Sequence, residues 1–303
     1  MQKTDIILVI ILLIVLWTII EQKRLIVTKY IVASKKLPIE FDNTNFVVLS
    51  DLHNYKFGNH NERLVKKIES LSPDYIIIAG DMINKQNSCY PSNAFSLIEK
   101  LARKYTIYYA YGNHEQRLDK QLSKRHTKDK DSNVLKQIAI RETWFEFRRK
   151  LLDLGVIFLD NKSTKIHRKN EKVSITGLSI GREFFTRQNN PAMEEGYLAD
   201  LVGEVRNEDY QILIAHNPVY FKEYAKWGAD LTISGHLHGG LIRLPGVGGL
   251  ISPQVKFFPK YNAGNFTEKG QQLVVSRGLG SHSMMPRVFN APEIVLLKMK
   301  SEE

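Results

Sequence analysis

A chain of 303 residues with ordinary hydrophobic content can build one large α/β domain or two small ones. Its single cysteine, Cys89, excludes an internal disulfide without locating the protein in any compartment. A formal net charge of +11 suits an anionic partner: a phosphate ester, an anionic lipid surface or a nucleic acid.

Residues 6–20 form an almost unbroken apolar run, IILVIILLIVLWTII. As a helix this run covers about 22 Å, against a hydrocarbon core of roughly 30 Å. That is short for a membrane span and long for a signal-peptide core, and no small-x-small cleavage site follows. An uncleaved anchor over 1–24 is therefore expected, with Trp17, Lys23 and Arg24 at the membrane interface. The basic residues Lys23, Arg24, Lys29, Lys35 and Lys36 follow the run. They favour a cytoplasmic C-terminal side, by a margin too small to assign one. Residues 25–44 read as a connector, and 45–303 as the catalytic domain.

From Asn45 onward, short apolar runs alternate with amphipathic stretches, which predicts an α/β domain. Strands are predicted at Phe46–Ser50, Tyr75–Ala79, Thr106–Tyr111, Val156–Leu159, Val173–Thr176, Gln211–Ala215, Leu231–Ser234, Leu273–Ser276 and Ile294–Lys298. Helices are predicted near Glu62–Leu71, Ser92–Lys104, Arg141–Leu154, Glu194–Val205 and Tyr220–Trp227. The basic stretch from Arg117 to Lys130 reads as a solvated surface. Tyr108, Tyr109 and Tyr111 fall in one predicted strand and read as core.

Five short motifs each follow a predicted strand: Asp51-Leu52-His53, Gly80-Asp81, Gly112-Asn113-His114-Glu115, Ala215-His216-Asn217-Pro218 and Ser234-Gly235-His236-Leu237-His238-Gly239-Gly240. Loops at the carboxyl ends of strands converge on one crevice, so residues distant in sequence can meet there. Gly80, Gly112 and Gly235 suit turns that let backbone pass close to a metal or phosphate. The donors are carboxylate, imidazole and amide with no thiolate, a set that suits Mn, Fe or Zn. Seven such donors exceed the needs of one ion, and two ions bridged by a carboxylate would use them all.

These motifs resemble the calcineurin-like metallophosphoesterases. The similarity runs from Asn45 to Lys298 and includes Ser276-Arg277-Gly278-Leu279-Gly280 and Phe289-Asn290-Ala291-Pro292-Glu293-Ile294, an ending similar to the bacterial membrane-associated branch. The resemblance implies a four-layer α/β/β/α sandwich rather than a single parallel sheet. It implies that Asp51, His53, Asp81 and His238 bind one metal ion, with Asp81 bridging. Asn113, His216 and His236 would complete the second ion's shell. His114 would stand beside the metals as proton donor, with Glu115 orienting it. The implied reaction is attack of a metal-activated hydroxide on phosphorus.

The expected activity is hydrolysis of a phosphodiester or pyrophosphate, with a lipid-linked substrate of the UDP-diacylglucosamine kind suggested by the resembling branch and the apolar run. A nuclease or cyclic-nucleotide phosphodiesterase is the alternative. The basic charge favours it, but no aromatic-basic interleaving supports nucleic acid as a partner. A non-catalytic scaffold should have lost ligands, and here every expected ligand and His114 are present. Arg277, Arg287, Arg243 and His282 are candidate contacts to substrate, the arginines through paired donors. His60, His126 and His167 lie outside the motifs and read as surface residues.

Overall fold

The computed structural model describes residues 3–84, 90–120, 132–186, 191–205, 209–244, 246–252, 256–280 and 287–302. Along the chain these form helix α1 (Lys3–Lys23), strands β1 (Ile26–Ser34) and β2 (Asn45–Leu49), helix α2 (Glu62–Glu69), β3 (Tyr75–Ala79), α3 (Ser92–Ala102), β4 (Thr106–Ala110), α4 (Asn113–Lys120), α5 (Ser132–Asp153) and β5 (Ile157–Leu159). There follow β6 (Lys162–Arg168), β7 (Glu171–Leu178), α6 (Tyr197–Val202), β8 (Tyr210–Ala215), α7 (Phe221–Trp227) and β9 (Leu231–Ser234). A short hairpin of β10 (Arg243–Leu244) and β11 (Gly248–Gly249) precedes β12 (Gly264–Glu268), β13 (Gln271–Val275) and β14 (Glu293–Ser301).

Two six-stranded sheets result, ordered β1-β14-β2-β3-β4-β5 and β12-β13-β9-β8-β7-β6. Their central strands are short apolar runs, as strands covered on both faces require. Period-two alternation divides each run between two cores. Phe46, Val48, Ile77, Tyr108 and Val295 meet Ile175, Ile212, Ile214, Ile233 and Val274 between the sheets. On the outer face of the first sheet, Val47, Ile76, Ile78 and Tyr109 pack with Leu64 and Ile68 of α2, Leu97 of α3 and Trp144 and Phe147 of α5. Leu213 of the second sheet packs on Leu198 of α6 and Tyr224 of α7. Each fully buried aliphatic or aromatic side chain in these layers contributes roughly 1.5–3 kcal/mol. The expected four-layer α/β/β/α sandwich is the architecture observed, and Tyr108, Tyr109 and Tyr111 are all buried.

The stretch 25–44 is more than a connector. Its residues Ile26–Ser34 form β1, paired in parallel with β14 over nine register positions from Ile26↔Glu293 to Ser34↔Ser301. Val32 of β1 is fully buried in the inter-sheet core. The edge strands β6 and β12 were also not predicted, since both are half-exposed and polar. Helix α5 begins nine residues before the predicted Arg141, and α4 starts inside a motif read as a loop.

Helix α1 is longer than the apolar run and covers 21 residues, about 32 Å at 1.5 Å per residue. Its apolar side chains are exposed along the helix, and Thr18 returns its hydroxyl to the Ile14 carbonyl at 2.9 Å. Among the described residues it is one helix long and apolar enough to cross a membrane. Its C-terminal end meets the domain. Glu21 is buried and pairs with Arg24 at 3.0 Å, and the Trp17 ring lies 4.9 Å from that of Phe289.

The register of β1 carries a prediction. A chain starting at Leu25 should unfold cooperatively, with a melting temperature close to that of the whole chain. A chain starting at Asn45 should lose more than about 3 kcal/mol, given the burial of Val32 and the bared edge of β14. Thermal unfolding followed by circular dichroism distinguishes the two.

Candidate metal centre

The donors are brought together by loops at one end of both sheets. Asp51 and His53 follow β2, Asp81 follows β3, Asn113 and His114 follow β4, His216 follows β8, and His236 and His238 follow β9. Because β2, β3 and β4 are mutually parallel, as are β8 and β9, these loops leave their sheets at the same end. Within each loop the chain turns sharply. Asp51, His53, Asp81, His236 and His238 all have φ between 49° and 72°, in the left-handed region. Each such residue costs on the order of 1 kcal/mol.

Backbone hydrogen bonds between loops hold this strain. Asp51 N–H donates to the Gly80 carbonyl at 2.9 Å, His53 N–H to Asp81 at 3.0 Å, and Gly235 N–H to His216 at 3.1 Å. The glycines allow the loops to touch. A Cβ on Gly80 would stand 2.3 Å from Gly112 N, and one on Gly235 would stand 2.4 Å from Asp51 Oδ2. No side chain fits at either place.

The side chains then form overlapping groups that could hold a metal ion. Asp51, His53 and His238 make one group, Asp81, His216 and His236 a second, and His53, Asp81 and His114 a third, with the donor atoms of each group within 4.8 Å of one another. His216 Nδ1–H donates to the Ala79 carbonyl at 2.6 Å, which turns Nε2 toward Asp81 Oδ2 at 3.2 Å. Such a carbonyl contact sets the tautomer that presents a lone pair to a metal. His114 Nδ1–H donates to the Ile83 carbonyl at 3.1 Å, and its Nε2 lies 3.8 Å from Asp81 Oδ2. Asn113 stands between Gly112 and His114, both against Asp81. Its Oδ1 is buried and has no hydrogen-bond partner among the described residues. A buried amide oxygen left unpaired is costly, and a cation beside it would remove that cost. The donor set therefore fits divalent metal.

Electrostatics point the same way. Burial pushes the Asp51 carboxyl up to about 6, with His216 opposing and Asp81 adding to the rise. Burial also raises Asp81, but the rings of His114, His216 and His53 outweigh it and hold this carboxyl well below the usual range. Burial lowers His216, and Asp81 and Asp51 more than reverse that, lifting it to about 10. In the metal-free chain the cluster holds protons that an arriving cation must displace.

Glu115 corrects the sequence reading. It does not orient His114. Its carboxylate accepts from the N–H groups of Asp81 (2.9 Å), Met82 (2.8 Å) and Gly112 (3.0 Å) and from the Tyr109 hydroxyl (2.8 Å). Glu115 thus braces the β3 and β4 loops against each other. Asn290 does the same for the β9 loop, donating to the carbonyls of His238 and Gly240 at 2.6 Å each. The sequence holds no sign of either role, because all the partners but the Tyr109 hydroxyl are backbone.

The candidate substrate contacts divide. Arg287 is buried, and its guanidinium donates to the carbonyls of Gly280 (2.5 Å), Arg277 (3.1 Å) and Asn290 (3.3 Å), with His238 Nδ1 at 3.4 Å. This geometry makes it a brace under the ligand loop. Arg277 pairs with buried Glu293 at 3.4 Å, and Arg243 donates to Gly239 O and Asn262 Oδ1 at 2.8 Å each. Both line a cleft of about 530 Å³ beside Gly239. His282 and His126 lie outside the described residues, as does most of the basic stretch after Arg117. His60 and His167 are exposed, as expected.

The family model for calcineurin-like phosphoesterases matches residues 44–240. The chain therefore belongs to that family, and it is a hydrolase of phosphoric esters that binds divalent metal. Curated relatives align over most of its length. The uncharacterized metallophosphoesterase YkuE of Bacillus subtilis is 25% identical over 93% of this chain and 88% of its own. Phosphodiesterase YaeI of Escherichia coli is 26% identical, covering 83% and 80%. UDP-2,3-diacylglucosamine pyrophosphatase LpxG of Chlamydia trachomatis is 24% identical, covering 83% and 82%.

Two measurements follow. Glu115→Ala should lower stability by on the order of 3 kcal/mol, because it strands three buried amides worth roughly 1–3 kcal/mol each. Urea unfolding of the metal-free chain reads this. Metal affinity should rise with pH, since His216 stays protonated up to about 10 and Asp51 up to about 6 before metal enters. Titration calorimetry with Mn²⁺ at pH 6 and pH 8.5 should show tighter binding at the higher value, with protons released at both.

Proposed function

We propose that the chain holds two divalent ions (Mn, Fe or Zn) and hydrolyses a phosphodiester or pyrophosphate carried by a membrane-bound, lipid-linked substrate. The observation behind the two ions is the overlap of the donor groups, with Asp81 and His53 each belonging to two of the three. Asp81 links the group with His53 and His114 to the group with His216 and His236, which supports it as the bridging carboxylate. When bound, such ions polarise a phosphoryl oxygen and make water acidic enough to act as nucleophile near neutral pH.

The chain's own residues do the rest. His114 keeps its Nδ1 proton on the Ile83 carbonyl and turns Nε2 into the cluster beside Asp81. A proton carried on Nε2 would be positioned for the leaving oxygen. This step is typically worth about 10²–10⁴ in rate. The N–H of His114 itself donates to Asp81 Oδ1 at 2.9 Å, so ligand and acid move as one unit. Strain in the loops and the Glu115 brace keep that unit rigid, which favours orientation.

The lipid link is supported by topology. The amino end of β1 pairs with the amino end of β14, and β14 runs antiparallel to β2. Helix α1 therefore joins the domain at the end of the sheet that carries Asp51 and Asp81. An anchored chain would face its metal centre toward the bilayer. The pyrophosphatase LpxG among the relatives acts on a diacylated sugar nucleotide by its name, which agrees with such a placement.

The test uses the whole chain in detergent, stripped with EDTA and reloaded with Mn²⁺. His114→Ala should retain two ions per chain and lose about 10²–10⁴ in turnover of an ester with a poor leaving group, and less with p-nitrophenolate as leaving group. Asp81→Ala should lose metal and activity together. Loss of one ion in His114→Ala would mean that this imidazole is a ligand and not the acid.

A further inference from the structure

We propose that the cleft beside Gly239 and its apolar lip are a second membrane contact, in which Arg243, Arg277 and Lys260 take the anionic headgroup of a bilayer lipid. The proposal rests on α1 as a membrane anchor. It does not depend on the hydrolytic reading.

The lip is exposed and apolar. Val247 is 59% exposed, Phe289 49% and Leu244 41%, and all three line the cleft. Phe289 has φ 53°, in the left-handed region that bulky side chains avoid. Its neighbour Asn290 is tied to the β9 loop through His238 and Gly240. The ring is thus held outward by the same contacts that position the ligand loop.

Depth follows from α1. Trp17 lies six residues before Lys23, about 9 Å back along the helix axis. Its ring meets that of Phe289 at 4.9 Å. Phe289 must therefore sit at the depth of Trp17, inside the anchor rather than beyond its end. Tryptophan at that position belongs to the interfacial belt, so Phe289 enters the belt with it. The rest of the lip shares the cleft with Phe289 and is brought to the same surface.

The floor of the cleft is cationic. Arg277 pairs with Glu293 at 3.4 Å and Lys260 with Glu268 at 3.9 Å. Arg243 spends one nitrogen on a carbonyl and an amide oxygen, and no carboxylate lies within ion-pair distance of it among the described residues. Burial and the neighbouring Arg277 charge both lower the Arg243 pKa. An anion between the two guanidiniums would relieve that repulsion, and phosphate offers oxygens to both. A cationic floor beneath an apolar rim matches a phospholipid at its headgroup boundary.

The experiment uses the full chain, with Cys89→Ser, reconstituted in vesicles of phosphatidylcholine with or without phosphatidylglycerol. A polarity-sensitive fluorophore is placed on a single cysteine, at Val247→Cys or at Lys172→Cys. Lys172 is exposed near the amino end of β7, at the end of the sheets away from the metal loops. Nitroxide-bearing lipid should quench the Val247 label several-fold more than the Lys172 label. Arg243→Gln and Lys260→Gln should each raise the phosphatidylglycerol content needed to reach that state. A Leu244→Cys label repeats the reading if Val247→Cys melts early. Equal quenching at both positions in a chain that floats with the vesicles would overturn the proposal and leave the anchor intact. A chain that does not float would overturn both. Neither result bears on ester hydrolysis, which Asp81→Ala reports separately. A label shielded only when chains associate, and not by lipid, would assign the lip to a protein partner and also overturn the proposal.

Discussion

Two buried carboxylates govern this structure. Asp51 and Asp81 lie in one cluster at the ends of two strands, where water cannot neutralise them. Uncompensated charges of this kind are among the most expensive things a fold can bury. The protein surrounds them with imidazoles and backbone N–H groups, and lifts His216 to about 10 as a partial answer. Cations answer the charge more fully, and the Asn113 Oδ1 beside the cluster is buried without a hydrogen-bond partner among the described residues.

The cost of that cluster spreads outward. Five donors sit at positive φ, which the loop-to-loop hydrogen bonds and the close glycines make tolerable. A third buried carboxylate, Glu115, is taken up by three amides and a phenol. Arg287 supplies a buried positive charge beneath the β9 loop and spends its donors on carbonyls. Rigidity at the centre is therefore built from groups that never meet a substrate. The sandwich contributes a flat, fully packed base from which both sets of loops rise. The edge pairing of β1 on β14 then fixes where α1 leaves that base, which places this apolar helix at the end that carries the Asp51 and Asp81 loops.

The central strands were legible because burial on both faces demands continuous apolar runs, and Tyr75–Ala79 and Leu231–Ser234 agree residue for residue. The edges were not. β6 and β12 carry polar residues on an open face, and β1 pairs with a strand more than 260 residues later, so no local pattern reveals it. The same distinction holds at the site. Asp51, His53, Asp81, Asn113, His114, His216, His236 and His238 stood out because metal chemistry demands those atoms in those motifs. Glu115, Asn290 and Arg287 did not show their roles, because their partners are mostly main-chain groups that any residue could supply.

The family was legible through the resemblance that the motifs carry, and the candidate donors and the apolar run through residue type and spacing along the chain. Direction in space depended on folding. Which end of the sheet α1 enters, which carboxylate braces a loop, which arginine is buried and which lines an open cleft all follow from strand pairings between distant segments. Those pairings are long-range contacts whose energy comes from burying two faces against each other, a quantity that no single segment carries.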